Sequence, residues 1–143
     1  MTVDVQIAEL DGAATPSAAE IAHWAAEARG DDTRSLCLRV VGETEATALN
    51  ARFRNRARAT NVLAFPAAEP GVLGDIAICA PVAATEAREQ DKALADHFAH
   101  LVVHGVLHLL GLDHDTPPKA ADMEAKEIQV LRRFGIVDPY GDH

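Results

Sequence analysis

The run His104-Gly105-Val106-Leu107-His108-Leu109-Leu110-Gly111-Leu112-Asp113-His114 constrains this chain more than any other stretch. Residues four apart on a helix lie one above the other on the same face, about 6 Å apart along the axis. His104 and His108 have that spacing, so their ring nitrogens can converge on one ion at bonds of about 2 Å. Gly111 accepts the left-handed backbone that ends a helix, and the chain can then swing His114 back to the same ion. Three neutral imidazoles with no fourth protein ligand in view leave one position open, as at a catalytic zinc. The expectation is one zinc per chain, on His104, His108 and His114.

A lone histidine on an apolar helix is ordinarily a hydrogen-bonded core or surface residue. Here the chain has seven histidines in 143 residues, and the clustered ones combine a helical pair with a glycine-turned third ring. His100, His104 and His108 form one stripe whose ends are about 12 Å apart, so a single ion cannot touch all three. Pairing His100 with His104 would leave His114 badly placed. His100 is therefore read as a residue that supports a ligand or packs, and His97 as packing or rim. The spacing is that of the metzincin proteases, H-E-x-x-H-x-x-G-x-x-H, except that Gly105 stands where those enzymes carry their glutamate base.

A chain of this length is expected to form one domain, residues 1–143, with a core that needs no staples. Its start, Met1-Thr2-Val3-Asp4-Val5, carries no basic leader, and no apolar run is long enough to span a bilayer. A cytoplasmic protein is the expectation. Cys37 and Cys79 each sit in an apolar, strand-like run and read as buried, reduced thiols, with Cys79 a possible border of the site. With 22 acidic against 13 basic residues and a net charge of -9, a protein that coats nucleic acid broadly is disfavoured. Yet Arg52, Arg54, Arg56 and Arg58 crowd together with no acid among them, a patch that can gather phosphates or simply stay solvated.

Hydrophobic alternation predicts strands over residues 3–8, 35–41, 60–65 and 74–79. Helices are predicted from Thr15 or Ser17 to Arg29, with Glu20 in capping-box spacing and Ile21 and Trp24 inward. Others are expected over 44–53 (using Leu49 and Phe53), 81–90, 92–110 and 118–134. Strands come early and helices dominate late. The predicted class is α+β, a small mixed four-stranded sheet packed with about five helices, the metal-binding helix near the C-terminal half.

Four segments carry a family resemblance. Leu49-Asn50, Arg54 and Thr60-Asn61-Val62-Leu63-Ala64-Phe65-Pro66 resemble L-N…R…T-[DN]-V-L-S-F-P. Leu73-Gly74-Asp75-Ile76-Ala77-Ile78-Cys79 resembles L-G-D-[IL]-x-I-C. His97 to His114 resembles H-x-x-H-x-x-x-H-G-x-L-H-L-x-G-Y-D-H, and Asp138-Pro139-Tyr140 echoes D-P-Y. These are motifs of the YbeY family of bacterial rRNA-maturation endoribonucleases, which the chain resembles from about residue 35 onward. Ala64 replaces the usual Ser, Leu112 the usual Tyr, and Ala57 and Ala59 stand where Asp and Pro are common. The resemblance implies a zinc-dependent endoribonuclease that prefers single-stranded RNA, matures the 16S rRNA 3′ end and serves ribosome quality control. It also implies contact with the small ribosomal subunit and with an assembly GTPase.

In such a reaction zinc and a guanidinium share the negative charge that builds on the phosphoryl oxygens. Arg54 is the candidate catalytic arginine, since its fork grips two phosphate oxygens and keeps its charge. Arg52, Arg56 and Arg58 would guide the backbone. With Gly105 in the base position, Asp113, Asp115 and Asp75 are the carboxylates weighed for orienting a ligand or moving a proton, each also a candidate for a purely structural role. Two rivals remain at this stage: a zinc-dependent, protease-like hydrolase, and a non-catalytic ribosome-assembly factor with structural zinc.

Overall fold

A computed structural model describes residues 3–8, 15–54, 61–113, 115–136 and 139, except for the side chains of Phe53 and Arg54. The order is β1 (Val3–Ile7), α1 (Ala18–Arg29), β2 (Ser35–Val41), α2 (Glu43–Arg54), β3 (Val62–Pro66), β4 (Val72–Cys79), α3 (Ala80–Glu89), α4 (Leu94–Leu109) and α5 (Pro117–Arg132). The α+β expectation holds, with four strands and five helices among the described residues.

The strands form one sheet in the order β1-β2-β4-β3. β1, β2 and β4 run parallel, and β3 lies antiparallel on β4. Parallel neighbours need a crossover rather than a tight turn, and α1 supplies the one between β1 and β2. Pairing aligns Val5, Leu38, Ile76 and Ala64 in one row across the sheet. That row belongs to the main core, with Ile21, Trp24 and Ala25 of α1 and Phe98, Val102 and Val106 of α4. Each fully buried Val, Ile or Phe side chain there contributes about 1.5–3 kcal/mol against exposure. Along the next row stand Asp4, Cys37 and Asp75, which alternation turns to the opposite face. Ile7, on the edge strand, ends 38% exposed despite its place in the alternation.

Capping sets where α1 begins. The Ser17 side chain accepts from the Glu20 backbone N–H at 3.1 Å, and a Glu20 carboxylate oxygen accepts from the Ser17 N–H at 3.2 Å. This is the reciprocal capping box anticipated from Ser17 and Glu20. On α2 the buried residues are Ala46 and Asn50, whereas Leu49 is only half-buried and the Phe53 side chain lies outside the described residues. Ala46 packs in one small cluster with Val41 and Cys79. Among the described residues, no helix is long and apolar enough to cross a membrane.

α4 is the central helix and packs against α1, α3, α5, β3 and β4. Ten of its residues are buried, which is the burial an almost uniformly apolar helix requires. His100, His104 and His108 are its half-buried interruptions.

Candidate metal centre

Surrounding elements leave one stripe of α4 uncovered by the sheet, and the histidines occupy it. His104 and His108 stand one turn apart, both half-buried. The helix then stops as the glycine predicted. Gly111 has φ of 102°, its N–H donates to the His108 carbonyl at 3.0 Å, and the Leu112 N–H donates to the Leu107 carbonyl at 3.1 Å. This is the Schellman pattern, which ties off the last carbonyls and turns the chain. His114, the third expected ligand, lies outside the described residues, as do Arg56, Arg58, Asp138 and Tyr140. Arg54 ends α2, with its side chain likewise outside them; Arg52, two residues earlier, is exposed. Among the described residues, no group of three or more His, Cys, Asp or Glu side chains is arranged to hold a metal.

The histidine stripe is anchored by a residue that sequence reasoning missed. Glu127 of α5 is fully buried, and one of its oxygens, Oε2, meets His104 Nδ1 at 3.0 Å and His100 Nε2 at 3.1 Å. Burial pushes this carboxyl up, but hydrogen bonds from His100 and His104 outweigh it and hold the group down at about 2. An ionised carboxylate only accepts, so both rings donate to it. In a neutral His104 ring the lone pair then lies on Nε2. The donor chemistry of His104 thus fits a metal held through an imidazole nitrogen, and His108 stands one turn along the same face. His100 turns its Nε2 to Glu127.

A signal for Glu127 was present. Met123, Glu127, Val130 and Leu131 are the buried residues of α5, so a carboxylate occupies the apolar stripe of an amphipathic helix. A charge in that position is costly unless paired.

His97 is buried rather than at the rim. Its Nε2 meets Glu86 Oε1 at 2.9 Å, and Glu86 also accepts from the Asn61 side-chain amide at 3.2 Å. Asp113 caps a turn: its Oδ1 accepts from the Asp115 N–H at 3.1 Å, and Lys119 lies 3.7 Å from Oδ2. Asp75 and Asp115 are exposed. Cys79 lies in the small cluster with Val41 and Ala46, and burial raises both its thiol and that of Cys37. Neither is poised as a nucleophile.

Gly105 is turned away from the stripe. A Cβ there would lie 3.2 Å from two Ile76 methyl carbons and 3.4 Å from one of Val62. The position a metzincin uses for its base is packed on β3 and β4, with no room for a glutamate.

Residues 7–135 match the family model described as Endoribonuclease YbeY. The chain belongs to the YbeY family. Similar proteins named Endoribonuclease YbeY include one from Halorhodospira halophila, 45% identical over 142 residues and covering 90% of each chain. One from Xanthomonas axonopodis pv. citri is 47% identical over 146 residues, 94% of this chain and 91% of its own. A Nitrosococcus oceani YbeY is 43% identical over 149 residues, covering 98% and 97%. Among solved structures, the solution structure of TM1509 from Thermotoga maritima is similar at a TM-score of 0.59 and 25% identity, covering 99% of this chain and 97% of that one. YbeY membership agrees with the motif resemblance in the histidine run and in the segment from Asn61 to Pro66.

Proposed function

We propose that this chain is a zinc-dependent endoribonuclease acting on single-stranded RNA, with precursor ribosomal RNA as its substrate. Its work on this reading is maturation of the 16S rRNA 3′ end and ribosome quality control, in the cytoplasm, alongside the small ribosomal subunit and an assembly GTPase. The observation that carries the reading is the joining of YbeY membership to the α4 stripe, where Glu127 takes the Nδ1 side of His104.

His104, His108 and His114 are the residues that would hold the zinc. When bound, zinc supplies Lewis acidity toward a phosphoryl oxygen. Arg54 binds the phosphodiester as a two-oxygen fork and counters the charge that develops on it during cleavage. Arg52, Arg56 and Arg58 hold the flanking backbone by charge. The close packing at Gly105 weighs against the protease-like alternative, which needs a carboxylate there.

Metal analysis of the purified protein together with cleavage of a single-stranded RNA oligonucleotide tests this. One zinc per chain is expected, with cleavage lost in His104→Ala and His114→Ala. Arg54→Ala should lower turnover about 100-fold or more while keeping its zinc. Undiminished cleavage by the two histidine variants would trace the activity to a contaminant and end the proposal.

A further inference from the structure

We propose that Glu127, steadied by His100, is the positioning residue that aims His104 at its metal, so that zinc affinity is set partly from α5. The inference rests on the reading of His104 as a zinc ligand.

Glu127 is 0% exposed and lies in the apolar stripe of α5 beside Met123 and Val130. An uncompensated carboxylate in such a place costs several kcal/mol, so whatever keeps it there must meet it directly. Two imidazoles from successive turns of α4 do so, both on Oε2. The bond to His104 is made through Nδ1. It fixes the rotation of that ring and puts the ring proton on the side away from the metal face. Metal-binding histidines are commonly held this way, and loss of the outer partner weakens metal binding about 10–100-fold.

His100 explains the second half of the device. A carboxylate held by one ring can still swing about its own side-chain torsions. A second donor on the same oxygen, from a ring only 14% exposed at its side chain, removes that freedom. It also takes His100 out of the ligand set, which accounts for a stripe of three rings of which two face the metal. Asp113, the carboxylate nearest in sequence to the ligands, is engaged by the Asp115 N–H and Lys119 instead.

A merely structural tie between α4 and α5 would share this geometry, so the test must read the metal. Glu127→Gln keeps the shape of the side chain and removes its charge. Zinc affinity of the folded variant, measured by competition with a chromophoric chelator, should fall about 10–100-fold, with an unchanged circular dichroism spectrum. His100→Gln should lower it in the same direction by a smaller factor. A second measurement needs no variant: ring nitrogen NMR of zinc-free wild-type protein near pH 8 should find the His104 proton on Nδ1. Wild-type affinity in folded Glu127→Gln, or a proton on Nε2, overturns the inference and leaves the zinc reading standing. Failure of the wild-type protein to take up zinc overturns both.

Discussion

Gly105 shows how one residue's surroundings decide which chemistry a familiar spacing can carry. The histidine pattern of a metzincin is present, yet the residue after His104 faces Ile76 and Val62 at contact distance. Glycine there lets α4 approach the sheet, and the approach makes any larger residue a misfit. Gly105→Glu should therefore lose about 3–5 kcal/mol, the cost of an unpaired buried charge, and should gain no casein-cleaving activity. Urea denaturation checks the first part, and a midpoint unchanged from wild type would show that this face of α4 does not meet the sheet as described. The empty base position was legible in the sequence. Its cause was not, because which side of a helix meets a sheet depends on partners far along the chain.

At the scale of elements, ends were easier to read than faces. The capping box of Ser17 and Glu20, and the glycine stop at Gly111, involve residues a few positions apart, so their chemistry is printed in consecutive letters. The α1–β2 connection adds a local feature of this kind. Arg34 donates to both oxygens of Asp32, at 3.0 and 2.7 Å, and holds its carboxyl down at about 2 from an ordinary 3.8. Since the folded value lies below the unfolded one, the pair's contribution is complete above pH 3.8 and is lost as pH falls through about 2. Carboxyl NMR should place the Asp32 midpoint near the lower figure in wild type and back toward the upper one in Arg34→Ala. A midpoint that does not move would assign the effect to another group. The buried face of α2, by contrast, was read only in part, since Ala46 and Asn50 are buried there beside the half-buried Leu49. Leu49 has the greater apolar surface, but close packing over Val41 and Cys79 favours the small Ala46.

For the molecule as a whole, the core and the candidate centre are separable. Phe98, Val102, Val106 and Leu107 of α4 are buried without help from the histidines, so the helix has its packing before any ion arrives. Stripping metal with a chelator should leave the helical circular dichroism intact while lowering the melting temperature. The loss corresponds to about 2.7 kcal/mol when zinc stood a hundredfold above its dissociation constant. Unfolding on chelation would instead favour the structural-zinc alternative. By itself the sequence determined the element order, the α+β class, the family and the spacing of His104 with His108, because periodicity and motifs are properties of neighbours along the chain. Only the tertiary structure decided that Glu127, from another helix, meets His104 and His100, and that Gly105 is walled in by two strands. These are contacts between residues brought together by the burial of apolar faces, and no spacing rule in one dimension encodes which faces will meet.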